Sequence, residues 1–211
     1  MVTTTDSSTR CWANVRHRLA AWLACVLCLL TVPAWADVSV EINGLRLERS
    51  EEGVFLSAAV KFDLPPVVED ALVKGVAMYF VAEAELLRDR WYWTDKRMAL
   101  RERHMRLSFQ PLTRRWRLQV APSAISNSGL GVTLAQTFDT LDEAMSAIKR
   151  ISRWKIAEAT DVDPEARHNV DFRFRLDVSQ LPRPFQIGAV GQPDWRIAAT
   201  RNQRLIMESP P

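Results

Sequence analysis

Two histidines, His104 and His168, follow the first 36 residues of this 211-residue chain, and they are the first candidates for metal or acid–base chemistry. Glu102 or Asp163 could complete a ligand set with them. However, no HxH or HExxH spacing puts two ligands on one face, so they read as unrelated surface histidines. Nucleophilic catalysis needs a serine activated by a nearby base. Ser126 lies in a glycine-bearing stretch, Ser126-Asn127-Ser128-Gly129, but without the GxSxG elbow or its strand-to-helix context. Glu83 and Glu85 share a strand face as a potential carboxylate pair, and they read as solvated or matched to arginines on a neighbouring strand. There is no phosphate-binding loop and no glycine-rich dinucleotide turn. The sequence therefore predicts no catalytic residue, no metal and no cofactor.

Binding is the stronger signal. RDRWYWTDKRMALRERHMRLSF, from Arg88, interleaves arginines with aromatics, and from Arg88 to Arg117 there are ten basic and three acidic residues. The candidate binding residues are Arg88, Arg90, Trp91, Trp93, Arg97, Arg101 and Arg106. Period two puts Trp91 and Trp93 on one face and Tyr92 on the other. It gives Arg101 and Arg103 the parity of Met105, and His104 and Arg106 the opposite one. Basic grooves with stacking aromatics bind nucleic acid. Arginine forks equally suit the carboxylates of an acidic protein loop or the phosphates of lipid headgroups. The plainest reading is a solvated strand face with arginine stems lying over apolar neighbours.

The chain's N-terminus decides among these. Arg10, Arg16 and Arg18 precede an uncharged apolar run, LAAWLACVLCLLTV, and Ala34-Trp35-Ala36 follows as a small-x-small cleavage pattern. A helix of that run would span about 21 Å, short of a hydrocarbon core of roughly 30 Å. Residues 1–36 are thus predicted to be a signal peptide cleaved after Ala36, and the rest to be periplasmic. All three cysteines, Cys11, Cys25 and Cys28, lie in the leader, so the exported part has no thiol for a disulfide or a metal. Trp22-Leu23-Ala24 before Cys25 is a poor lipidation signal. Three of the 28 basic and one of the 25 acidic residues also lie in the leader, so the remaining chain is close to neutral. An exported, nearly neutral protein is not a general polyanion binder, and nucleic acid is excluded as a partner.

The elements that must position these residues are mostly strands. Val38, Val40 and Ile42 alternate, and Leu45 and Leu47 resume after Gly44, where a bulge is expected. SEEG (50–53) turns the chain into Val54, Leu56, Ala58, Val60 and Phe62. A helix over about 65–75 begins at two prolines, which the first helical turn tolerates. From Val76 the pattern is strand-like, and Met105, Leu107 and Phe109 lead through QPLT to Trp116, Leu118 and Val120. PSAISNSGLG is a loop. Thr140-Leu141-Asp142-Glu143 is a capping box that opens a second helix over 140–153, with Leu141, Ala144, Met145, Ile148 and Ile151 as its stripe. NVDFRFRLDVS alternates throughout. LPRPFQIGAVGQPDW is an irregular excursion, WRIAATRN with QRLIM closes the sheet, and residues 206–211 fray. Seven to eight antiparallel strands with two helices make an α+β domain over 37–205, sandwich-like or strongly curved, with a closed barrel as its rival.

LPPVVEDALVKGV, MYFVAEAELLRDRWYW, RLSFQPLTRRWRL, TFDTLDEAMSAIKRISRWKIA and LPRPFQIGAVGQPDWRIA, in this order, resemble an exported bacterial protein family filed as domain of unknown function 4390 (DUF4390). The resemblance implies a periplasmic single domain with no established activity, cofactor or catalytic residue. It also suggests a membrane-bound sensor histidine kinase as the neighbouring partner. The expected function is a non-enzymatic binding or signalling-accessory module that meets an envelope protein such as a membrane sensor, or anionic lipid headgroups. The alternatives are a carrier of a lipid or other apolar ligand, and a hydrolase built on Ser126, His104 and His168. No oligomeric state is implied.

Overall fold

The structure, a computed structural model, describes residues 39–90, 92, 95–125, 134–163, 165–189 and 191–206. The chain divides into two units, Met1–Ala36 and Asp37–Pro211, and the described residues all belong to the second. Among them are nine strands in two antiparallel sheets, packed as a sandwich without barrel closure.

The three-stranded sheet has the order β1 (Glu41–Ser50), β2 (Gly53–Lys61), β7 (Arg150–Glu158). The six-stranded sheet has the order β6 (Leu134–Phe138), β5 (Arg115–Ala121), β4 (Lys96–Gln110), β3 (Met78–Arg88), β8 (His168–Leu176), β9 (Ala198–Leu205). Helix α1 (Pro66–Val73) carries the chain from β2 to β3, α2 (Leu141–Lys149) carries it back from β6 to β7, and α3 (Arg183–Ala189) lies between β8 and β9.

The hairpin β1–β2 forms as its alternation predicts. The register shifts between Asn43 and Arg46, and Gly44 takes φ +59°, which absorbs the extra residue. Gly53 is required more strictly. Its φ is +137°, and a Cβ there would meet the Ala157 carbonyl oxygen of β7 at 2.1 Å. Helix α1 ends ahead of Gly75, whose φ of +88° breaks the helix.

The capping box at α2 is present: Thr140 Oγ1 accepts from the Glu143 N–H at 3.3 Å, and the Glu143 carboxylate accepts from the Thr140 N–H at 3.4 Å. The helix is shorter than the expected 140–153. It stops at Lys149, and Arg150 is already extended with φ −109° and ψ 119°. Ile151 continues the helical stripe in sequence but is buried opposite Ala58 on β2. Pairing with the open edge of β2 outweighs one more turn of helix. Arg153, at φ +42°, then lets Ile151 and Trp154 both pair with β2 across the irregularity between Leu56 and Ala58.

Two elements exceed the expectation. Leu134–Phe138 is a strand, β6, in a stretch between the expected loop and helix to which the sequence assigns no element. The proline-bearing segment also contains α3, in which Pro182 accepts from the Phe185 and Gln186 N–H groups at 2.9 and 3.1 Å.

The core lies between the sheets. Phe62, Phe80 and Phe174 form a triangle with ring centroids 5.7–6.1 Å apart, and the Lys149 ammonium sits 4.8 Å from the Phe62 ring. Met78, Phe80, Ala82, Ala84 and Leu86 give β3 its inner face, and Val170, Phe172, Phe174 and Leu176 give β8 its own, all buried. Burying the larger of these side chains contributes about 1.5–3 kcal/mol each, which is why these two central strands fix the register of the sheet.

Candidate functional site

The other face of the six-stranded sheet carries the charge. On β3 it presents Tyr79, Val81, Glu83, Glu85 and Leu87, flanked by Glu102, His104 and Arg106 on β4 and by Asp171, Arg173 and Arg175 on β8. Glu83 lies opposite both Glu102 and Arg173, an arrangement that would be repulsive without the arginine. Arg173 donates to Glu83 at 3.1 Å and stands 3.9 Å from both Glu85 and Asp171. Glu85 is buried, and its carboxylate also accepts from Arg97 Nε. The two glutamates are thus paired with arginines on neighbouring strands, one of the two readings of that pattern.

Arg97 reaches Glu85 through a bulge. Ala99 pairs with Leu86 and Arg97 pairs with Leu87, which leaves Met98 as an extra residue. Simple alternation would put Arg97 with Ala99 on the core side. The inserted residue turns it outward.

The seven candidate residues are therefore divided. Arg97 and Arg106 occupy the outer face, and Arg106 lies 5.8 Å from the Tyr79 ring on the adjacent strand. Arg88, the last residue of β3, and Arg101, opposite Ala84 within β4, have inner parity. Arg88 pairs with Asp163 at 3.1 Å, and exposed Arg101 donates to its neighbour's carbonyl, Leu100 O, at 3.1 Å. Arg103 shares the inner parity and lies over Trp154 of β7 at 5.8 Å, at the seam between sheets. The Arg90 N–H donates to Asp95 at 3.4 Å. Trp91 and Trp93 lie outside the described residues.

Part of the outer face lies beyond the seven candidates. β5 pairs with β4 as Gln110↔Arg115, Ser108↔Arg117 and Arg106↔Gln119, so Arg115 and Arg117 stand beside Arg106 on that face. The signal was available: Trp116, Leu118 and Val120 alternate as core residues, which sends Arg115, Arg117 and Gln119 outward. Arg114, at φ +51°, closes the four-residue turn beside fully exposed Leu112. Compensation is uneven across the sheet. Arg97 and Arg173 meet carboxylates, whereas among the described residues Arg106, Arg114 and Arg117 meet none, and Arg115 meets only Asp139 at 3.1 Å.

Neither histidine is a surface residue. His104 is 8 % exposed and His168 fully buried. His104 Nε2 lies 2.8 Å from the Glu102 carboxylate, and His168 Nδ1 lies 3.1 Å from the Ala166 carbonyl oxygen; the remaining ring nitrogen of each has no partner among the described residues. Burial, reinforced by the Arg88 charge, holds the His168 pKa below the ordinary imidazole value, against the opposing effect of its Ala166 bond, Asp163 and Asp89.

The histidines do not meet. His104 pairs with Val81 on the outer face and His168 pairs with Arg88 on the inner parity, roughly 23 Å further along β3 at about 3.3 Å per residue. Ser126 lies outside the described residues. Among the described residues no group of three or more His, Cys, Asp and Glu side chains could hold a metal ion, and no helix is long and apolar enough to cross a membrane.

Hollows lie at the rims of the sandwich. One of about 790 Å³ is bordered by Leu47–Glu51, Ala159 and Ile206, and one of about 300 Å³ lies between α1 and α3 over Phe185 and Trp195. The space between the sheets is taken by the phenylalanine triangle. No curated protein matches the chain, and no solved structure does. A family model described as a domain of unknown function, DUF4390, matches residues 38–204, nearly the whole extent of the two sheets, and the chain belongs to that family.

Proposed function

We propose that this protein is a non-enzymatic binding module of the cell envelope, exported by its N-terminal leader, that holds an acidic segment of an envelope protein against β4 and β5. The observation that carries this reading is the uneven charge compensation of the outer sheet face. Around β3 and β8 the charges neutralise one another, Glu83, Glu85 and Asp171 meeting Arg173 of β8 and Glu85 also meeting Arg97 from the start of β4. The end of β4 that meets β5 leaves Arg106 and Arg117 without a carboxylate among the described residues, next to Arg115 and the hairpin tip. Adjacent strands lie about 4.8 Å apart, so these guanidinium groups can take neighbouring carboxylates of one extended segment, each in a two-pronged contact. Family resemblance favours a membrane sensor protein as the source of that segment.

The test is capture from envelope extracts with Arg106→Glu, Arg115→Glu and Arg117→Glu combined. The variant should lose the partner that the wild-type chain retains at low salt, and raising the salt to about 0.5 M should release that partner from the wild type. Arg204→Glu on the distant strand β9 serves as the control and should capture normally. Undiminished capture by a folded triple variant would overturn the reading.

A further inference from the structure

Among the described residues, four strands have a neighbour on one side alone: β1 and β7 in the smaller sheet, β6 and β9 in the larger. Three of these edges are protected by charge. β1 carries Glu41, Arg46, Glu48 and Arg49 and is bent at Gly44; β7 carries Arg150, Arg153, Lys155 and Glu158. β9 carries Arg201 and Arg204, and Arg201 donates to the Ile42 carbonyl oxygen of β1 at 2.8 Å. Charges and bulges of this kind keep an edge from pairing with a foreign strand. β6 has neither. Leu134-Ala135-Gln136-Thr137-Phe138 is uncharged, contains no proline or glycine, and runs in unbroken register against β5 from Val120 to Trp116. Its first four residues are exposed, and among the described residues the backbone groups of its far side have no partner.

We propose that β6 is a dimerisation strand, which pairs antiparallel with β6 of a second copy about a twofold axis through Gln136. The strand is symmetric in kind about that residue: apolar, small, amide, small, apolar. A twofold interface requires this self-complementarity, since each residue must suit the one it meets when the order is reversed. Here Leu134 meets Phe138, Ala135 meets Thr137, and Gln136 meets its own copy.

Leu134, 61 % exposed in the single chain, gains an apolar cross-strand neighbour, and the two Gln136 amides each offer a donor and an acceptor. No charge on either strand opposes the approach; the nearest arginines, Arg115 and Arg117, belong to β5, one strand back. The paired edges would join the two larger sheets into one continuous sheet. A five-residue ladder buries well under the roughly 1,200 Å² of a standard stable interface, so association is weak and concentration-dependent.

Directly opposed residues in antiparallel strands have Cα atoms about 4.5–5.5 Å apart, within reach of a disulfide. The test uses the full chain with Cys11, Cys25 and Cys28 replaced by serine and a single new cysteine at an exposed β6 position. Under mild oxidation Gln136→Cys should give a covalent dimer. Ala135→Cys or Thr137→Cys alone should give at least tenfold less, and an equal mixture of those two should give the mixed dimer. The reduced variants, checked for an unchanged melting transition, establish that the strand is intact. Equal crosslinking at all three positions, no Gln136→Cys dimer, or a sedimenting dimer that Gln136→Cys fails to trap would each overturn the proposal.

Discussion

His168 stands at the start of β8 with its ring wholly enclosed, one nitrogen satisfied by Ala166 and the other without a partner among the described residues. Protonation would place a second N–H where no described residue offers an acceptor, beside the Arg88 cation. Its folded pKa is lowered, so above about pH 6.5 the imidazole is neutral in both states and adds no pH dependence. Below that value the unfolded chain takes up a proton that the folded chain refuses, and stability falls as the pH falls towards the folded pKa. Stability measured by denaturant titration between pH 6.5 and 5 should drop with a slope of up to about tenfold in the unfolding constant per pH unit. His168→Asn, whose amide can still donate to Ala166, should be less stable at every pH but lose that slope. A slope shared by both proteins would place its origin elsewhere. This burial leaves no mark in the sequence, because a histidine at the start of an alternating strand looks the same whether or not Arg88 and Leu205 pair on either side of it. Arg97 was equally opaque: its face depends on the extra residue Met98, and nothing in KRMAL announces a bulge. Arg115 and Arg117 were legible, since the core residues between them fix their direction.

The turns and strand ends carry a second expectation. Gly53 and Gly44 both have positive φ, but only Gly53 also faces a backbone oxygen, that of Ala157, within 2.1 Å of where a Cβ would lie. Gly44→Ala should cost about 1 kcal/mol, the ordinary strain of a left-handed alanine. Gly53→Ala should cost at least about 2 kcal/mol more, because β7 has to move away from β2. Thermal melts of the two variants distinguish them, and equal losses would mean that β7 yields freely at that point. At this scale, legibility followed the strength of local patterns. The β1–β2 hairpin, α1 and the capping box of α2 each carry a chemical marker within a few residues. β6 carries none, since an edge strand exposed on both faces has no alternation to show. α3 was masked by Pro182 and Pro184, which suit a first helical turn as well as they suit a loop. The boundary at Lys149 was set by the vacant edge of β2, a partner far away in sequence.

Across the whole molecule the sandwich depends on such distant partners. β2 takes its second neighbour from residues 150–158, and β3 takes its own from residues 168–176. The α+β class was readable from period two and two helical stripes, but the strand order was not, because no local rule inserts β8 between β3 and β9. A chain ended after Ala166 would keep eight-tenths of the sequence and still lack the strand that supplies Phe172 and Phe174. It should bind a hydrophobic dye and aggregate, with no cooperative melt, whereas the full chain should unfold in one transition by circular dichroism and tryptophan fluorescence. A cooperative melt of the shortened chain would show that the first seven strands form a self-sufficient unit.

The place of β8 in the middle of the larger sheet also governs how the protein comes into being. Synthesis proceeds from the N-terminus, so the oily flank of β3 is complete long before the segment destined to shield it has left the ribosome. Until then the nascent polypeptide is a client for whatever holds unfinished chains apart, and a slower supply of its closing strands would lengthen that exposure without altering a single contact in the finished molecule.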